Sequence, residues 1–308
     1  MSEKLEQIRK KIDTLDDKLH DLLMERAALV TDVAAEKKKQ NLQIVHPARE
    51  AQMVRRLLAR HEGPLPEAAV VRIWRELVGA VSLLQTGLQV SVTMPEGQEG
   101  YWDMARNYFG SVLPMKRVSA PLSAVSSVRE DESSFAVVPW PEDGDENPWW
   151  SYILEQQSNN NMRIVCALPY GCEATDKSSA QHRALVVSKL DFIPSGDDHS
   201  FIVVRIDPSV SRGRIFDVLS QMKAEPLSIH TKNGTTQGSP SYHLIEVNIY
   251  MDQQDERLKQ LEAKFVDQDA KCIAIGGYPT APTYKPLKIK MAKSAKAPRA
   301  PKPPSKVV

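Results

Sequence analysis

Between Leu5 and Val33 the chain carries an apolar row that leaves little freedom in what it can become. Leu5, Ile8, Ile12, Leu15, Leu19 and Leu22 follow one another in steps of three and four, and Leu29 and Val33 resume the row. That spacing places side chains on one face of a helix. Arg26 interrupts the row where a leucine is called for. A guanidinium in an apolar seam requires an anion within reach. The neighbouring positions of the row, Leu22, Leu29 and Val33, carry no acid at the same depth, so the expected partner is an anionic ligand.

The row also sets a length. A helix from Glu3 to Lys39 spans roughly 55 Å, whereas the two helices that follow reach roughly 25 to 30 Å each. The second is opened by His46-Pro47, because the fixed backbone angle of proline suits a first helical position, and is closed by Gly63-Pro64. The third runs from about Pro66 to Thr86, with Val70, Ile73, Trp74, Leu77, Val81 and Leu84 on one face and Gly87 ending it. Neither is long enough to cover the first. The uncovered seam predicts an intertwined homodimer in which the long helices pair.

Beyond residue 89 the period changes. From 90 to 198, β-branched runs (90–92, 134–138, 163–168 and 184–187) alternate with helical stretches near 101–109 and 149–157, which predicts a small α/β domain. From 199 to 283 the order reads strand, helix, strand, strand, helix, strand, which predicts a ferredoxin-like α+β sandwich. Residues 284–308 hold seven Lys and one Arg with no acid, interleaved with Ala and Pro. Such a segment cannot bury enough apolar surface to order itself and is expected to be a disordered basic tail. The predicted architecture is therefore multidomain: 1–89 all-helical, 90–198 α/β, 199–283 α+β and 284–308 tail.

Charge is almost balanced, at +1 over 308 residues, and singles out neither nucleic acid nor membrane as a partner. Cys166, Cys172 and Cys272 are odd in number and lack metal-ligand spacing. No signal peptide and no apolar run of about twenty residues is recognised. The expectation is a soluble, cytoplasmic protein with reduced thiols and no metal.

Helix geometry gathers the candidate site. Arg26 and Lys37 are eleven residues apart, close to three whole turns, so both leave the same side with an axial separation of roughly 16 Å. Two long side chains can lean together across a small molecule over that gap. Arg9 lies roughly 25 Å from Arg26 along the same axis, and could reach the same ligand only from an antiparallel partner helix. Arg49 and Glu50, just inside the second helix, would be an ordinary exposed pair in most proteins. Gln85, four residues beyond Val81, borders the buried stripe of the third helix.

Taken together, Ile8-Arg9-Lys10-Lys11-Ile12-Asp13-Thr14-Leu15-Asp16, Leu22-Leu23-Met24-Glu25-Arg26, Lys37, Pro47-Ala48-Arg49-Glu50 and the stretch ending at Gln85 resemble the all-helical chorismate mutase family, a domain often fused to prephenate dehydratase or dehydrogenase. The resemblance implies a cofactor-free pericyclic rearrangement of chorismate to prephenate in aromatic amino acid biosynthesis, with no covalent intermediate and no proton transfer. That reaction asks a protein to hold a flexible dianion in its compact conformer and to stabilise charge growing on the ether oxygen. Carried over by position, Arg26 and the Arg9 of a second copy would grip the two carboxylates. Lys37 and Gln85 would donate to the ether oxygen, Glu50 would accept from the ring hydroxyl and Arg49 would support the site. Gln85 is a neutral donor and is not expected to titrate. The chain departs from better-known members at His46, where they carry an aspartate, and at Val81, where they carry a serine, with Ser82 adjacent.

The second segment is similar to a shortened prephenate dehydratase in Met104-Ala105-Arg106-Asn107-Tyr108-Phe109, Val137-Val138-Pro139-Trp140 and 184–191. Its length falls short of two lobes, and the family's Thr-Arg-Phe motif is not found, so dehydration of prephenate is not expected. The third segment resembles an ACT domain in its strand order and in Ser211-Arg212-Gly213-Arg214-Ile215, Ser228-Ile229-His230-Thr231-Lys232 and Gly276-Gly277-Tyr278-Pro279. This resemblance implies Arg212, Gly213 and His230 as candidates for binding a phenylalanine or tyrosine effector. The reading is a dimeric chorismate mutase. Its rivals are a bifunctional mutase and dehydratase, or a non-catalytic regulator whose helical domain binds chorismate or a partner enzyme.

Overall fold

The computed structural model describes residues 3–40, 42–155, 162–173, 183–236 and 238–285, with the side chains of 83–86, 155, 172 and 173 excepted. The basic stretch from 286 onward lies outside the described residues, as does the end of the helix expected near 149–157.

Three helices open the chain: α1 (Glu3–Lys39), α2 (Pro47–Ala59) and α3 (Glu67–Thr86). The apolar row of α1 is real and uncovered. Its members from Leu5 to Val33 keep between 39% and 63% of their surface exposed, and Ala34 is the buried residue of the helix. On α3 the buried side differs from the expected stripe. Ile73 faces outward at 45% exposure, while Val71, Arg75 and Gly79 turn inward. The reason is a neighbour that the periodicity of α3 alone does not reveal: the helix packs on α4 (Gly100–Phe109) as well as on α1 and α2.

The remaining elements are β1 (Val90–Thr93), β2 (Met115–Val118), α5 (Pro121–Arg129), β3 (Phe135–Pro139), α6 (Trp149–Glu155), β4 (Arg163–Leu168), β5 (Cys172–Glu173), β6 (Ala184–Ser188), β7 (Asp198–Ile206), α7 (Arg212–Gln221), β8 (Pro226–Lys232), β9 (Ser241–Val247), α8 (Glu256–Lys264), β10 (Lys271–Pro279) and β11 (Thr283–Tyr284). Nine strands form one sheet in the order β2-β1-β3-β6-β4-β10-β7-β9-β8, and β5 pairs with β11. β1 runs parallel to β2 and β3. Strands β1, β3 and β6 are buried on both faces, which is why they read as continuous apolar runs instead of alternating ones.

The segments expected as two domains thus share a sheet, joined where Gly276 of β10 pairs with Ile164 of β4. They share a core too. Phe201 and Val203 of β7 pack with Trp150 and Ile153 of α6 and Leu185 and Val187 of β6, whereas the alternate residues Ile202 and Val204 pack with Ile215 and Leu219 of α7 and Leu258 and Leu261 of α8. The period-two alternation of β7 therefore faces one side onto the preceding segment. The order strand, helix, strand, strand, helix, strand is present from β7 to β10, with β10-β7-β9-β8 as neighbours.

Tyr284, expected at the head of a disordered tail, is instead the second residue of β11. Its ring packs with Val54 and Val71, and its hydroxyl donates to the Tyr170 carbonyl at 3.0 Å. An aromatic residue with an apolar niche and a hydrogen-bond acceptor is ordered despite basic neighbours.

Helices and sheet meet tightly at Gly79. A Cβ built there would lie 1.9 Å from the backbone oxygen of Phe109, so any side chain must push α3 away from α4. Gly79→Ala is expected to cost roughly 3 kcal/mol or more, read as a lowered midpoint of thermal or denaturant unfolding. Unchanged stability would show that the two helices can separate at this point.

Candidate active site

The three opening helices enclose a cavity of about 520 Å³. α1 contributes Arg26, Val30, Val33, Ala34 and Lys37, residues spaced to share one helical face. α2 contributes Arg49, Glu50, Met53 and Arg56, with His46 at its N-terminus, and α3 contributes Val78, Val81 and Ser82. Among the described residues, four cations and one carboxylate line this space together with His46, Gln52, Ser82 and apolar side chains, a composition suited to a compact anion.

Arg26, half-buried, reaches the Met53 sulfur at 4.0 Å, and among the described residues it forms no ion pair. Lys37 donates to the Ile44 carbonyl at 3.0 Å, which ties the end of α1 to the linker before α2. Burial and the nearby Arg49 guanidinium lower its pKa from the ordinary lysine value, with Glu50 opposing them. The His46 ring is likewise shifted down, by burial first and then by Lys37. Its Nε2 lies against the Gln43 carbonyl oxygen. A carbonyl can only accept, so Nε2 carries the hydrogen and the neutral ring keeps Nδ1 as an acceptor. Val81 is buried in the wall.

Arg9 is exposed on α1 and is not part of the cavity lining of its own chain. Gln85 lies in the last turn of α3, and its side chain is outside the described part of the structure. Glu50 is not simply the exposed member of a surface pair. Its Oε2 accepts from Arg75 at 2.6 Å in an ion pair with both side chains largely buried. Sequence reasoning passed over Arg75, because a single arginine beside Trp74 on a helix reads as a solvated charge. The signal that could have exposed it is the row Val71, Arg75, Gly79, whose four-residue spacing ends in a residue without a side chain, a mark of close packing.

Two of the three effector candidates, Arg212 and His230, meet a carboxylate of the protein itself. Arg212, at the start of α7, donates to Asp143 at 3.2 and 3.4 Å. The His230 Nδ1 lies 3.9 Å from the same carboxylate. Burial lowers the His230 pKa, and the space beside Gly213 is open. Among the described residues no cluster of three His, Cys, Asp or Glu side chains could hold a metal, and no helix is long and apolar enough to cross a membrane.

Residues 8–86 match the family model described as chorismate mutase type II. The chain is 36% identical over 88 residues to a chorismate mutase of Methanocaldococcus jannaschii, a match that covers 28% of this chain and 87% of that one. It thereby belongs to the chorismate mutase family. It is also 30% identical over 140 residues to a protein of Pseudomonas aeruginosa named bifunctional chorismate mutase/prephenate dehydratase, covering 44% of this chain and 37% of the relative. The chain spans less than two fifths of the length of the three bifunctional relatives it matches. Among solved structures, prephenate dehydratase from Streptococcus mutans aligns with a TM-score of 0.44 at 13% identity, over 64% of this chain and 99% of that one.

Proposed function

We propose that the protein is a chorismate mutase, converting chorismate to prephenate without a cofactor. The observation that carries this reading is the convergence of Arg26, Lys37 and Arg49 on one cavity. Arg26 meets one substrate carboxylate, Lys37 donates toward the ether oxygen together with Gln85, and Glu50 accepts from the ring hydroxyl, with the neutral His46 as a second acceptor. The second carboxylate takes Arg9 from another copy of the chain. The uncovered apolar face of α1 supports a homodimer built on that helix. In this reading 1–89 is the mutase domain of a cytoplasmic enzyme, 90–198 a dehydratase-like domain and 199–283 an ACT-like domain. Arg212, Gly213 and His230 would then answer to phenylalanine or tyrosine.

The test is absorbance loss from chorismate in the presence of chelator and absence of nucleotide, with product identification after mild acid. No loss of chorismate would overturn the proposal. The relatives named bifunctional favour a second reading, in which the same chain also dehydrates prephenate. Phenylpyruvate formed before any acid treatment would select it.

The ionisation of Lys37 gives a further expectation. Its protonated form binds the dianion, and burial with Arg49 nearby lowers its pKa in the empty site. kcat/KM should therefore decline with rising pH below the range of a solvated lysine. A bound dianion favours the protonated form, so the alkaline limb of kcat should lie at higher pH than that of kcat/KM. Coincident limbs would remove Lys37 from the binding step.

A further inference from the structure

Arg75 lines no part of the mutase cavity, yet it holds the cavity's one carboxylate. It is 4% exposed and gripped from several sides. One guanidinium nitrogen lies 2.6 Å from Glu50 Oε2, while Nε donates to the Tyr108 carbonyl at 2.8 Å. The guanidinium carbon sits 3.8 Å from the Tyr108 ring centroid and 5.2 Å from that of Tyr170. Tyr108 lies in the last turn of α4 and Tyr170 follows β4, so two of the three residues that hold Arg75 belong to the sheet and its helices and not to the mutase helices. A buried guanidinium fixed in this way cannot swing toward a ligand.

Glu50 has other possible partners. The charged or titratable groups that act on Lys37 are Arg49 and Glu50 of α2 and His46 before it; Arg26 of its own helix and Arg56 of α2 line the same cavity, while the α3 wall offers Val78, Val81 and Ser82, none of which titrates. Without Arg75, Glu50 would turn to Lys37 or Arg49 and occupy a cation that a dianion needs. With Arg75, Glu50 Oε2 is held in the ion pair while the residue still lines the cavity.

We propose that Arg75, clamped by Tyr108 and Tyr170, is a positioning residue that draws Glu50 away from Lys37 and Arg49 and so keeps those cations available to an anionic substrate. The inference rests on the mutase reading for its substrate, but the charge partition itself can be measured without turnover. In it, the dehydratase-like segment serves the mutase cavity as its outer support.

The experiment follows the Lys37 ammonium by the carbon-13 resonance of its Cε in the full-length protein, assigned with Lys37→Arg, alongside chorismate kinetics. In Arg75→Gln the Lys37 midpoint should rise by about one pH unit as Glu50 moves closer. kcat/KM should fall by about tenfold, through KM as an anchoring charge is withdrawn and through kcat as Lys37 is drawn from the ether oxygen, where charge grows in the transition state. The double variant Arg75→Gln/Glu50→Gln should show the Lys37 midpoint of Glu50→Gln alone, because the shift requires the carboxylate. Arg75→Lys keeps a charge for folding but loses the planar fork, and should raise the midpoint by less. A merely structural role would lower stability and leave the Lys37 midpoint in place. No rise in either Arg75 variant overturns the inference. A rise in a protein that leaves chorismate untouched upholds the charge partition and overturns the mutase reading instead.

Discussion

Replacing Arg26 with alanine is expected to lower kcat/KM for chorismate by about a thousandfold or more, from the combined loss of carboxylate binding and preorganised charge. Arg26 is half-buried, finds no ion-pair partner among the described residues, and opens into the cavity beside Met53. An unpaired cation in such a place is poised for a ligand. Arg26→Lys keeps the charge but cannot engage a carboxylate bidentately, so its loss should be smaller, at about ten- to a hundredfold. The proposed sharing of the site between two copies adds a sharper expectation. A heterodimer of Arg9→Ala and Arg26→Ala subunits has one cavity with both changes and one with neither, so random exchange should restore about a quarter of wild-type sites. A chain with Arg26→Ala that keeps a tenth of its activity, or mixed variants that recover nothing, would remove these cations from the reaction as described.

Leu19→Asp is expected to convert the proposed dimer to a monomer and to take chorismate turnover down to background. Leu15, Leu19 and Leu22 are each more than half exposed on the single chain, in the middle of a face that runs the length of α1. A carboxylate there would have to be desolvated against apolar partners on the second copy, a cost of several kcal/mol counted over both subunits. Activity should disappear together with the dimer, because each cavity would lack the Arg9 of the other chain. Light scattering and the chorismate assay, run at one protein concentration, check both parts. A monomer that still turns over substrate would mean that the cavity is complete within one chain.

Much of this architecture could be read from side-chain periodicity. The bounds of α1 and β4 agree with expectation to within a residue or two, and α2 begins at the expected Pro47 but ends at Ala59, ahead of the expected stop at Gly63-Pro64; the local signatures are a long apolar row, a run of β-branched residues and a proline at the first helical position. β2 and α5 were not anticipated. β2 is an edge strand whose Lys116 and Arg117 are exposed, and α5 is a short helix diluted by serine, so neither carries an apolar period strong enough to stand out. The single sheet spanning both later segments was also invisible, because strand pairing between β4 and β10 joins residues more than a hundred positions apart. Arg26, Lys37, Arg49, Glu50, His46 and Val81 line one cavity; helix geometry alone pairs only Arg26 with Lys37, and the others enter through the family resemblance. Arg75 did not stand out, because its meaning lies in Tyr108 and Tyr170, contacts that only the assembled fold supplies.

The return of the chain to its starting module has a practical consequence. Tyr284 lies on Val54 and Val71, and Lys285 reaches Glu67, while Arg55 of α2 donates to backbone oxygens of Ser195, Asp197 and Thr280. The helices are thus bracketed by both later segments. A fragment cut after residue 89 would hand Arg75 and the Gly79 surface to water and strand the Arg55 guanidinium. Minimal versions of this protein made by truncation should accordingly lose cooperativity of unfolding before they lose helix content, and any effort to transplant its chemistry has to carry the whole clasped body along.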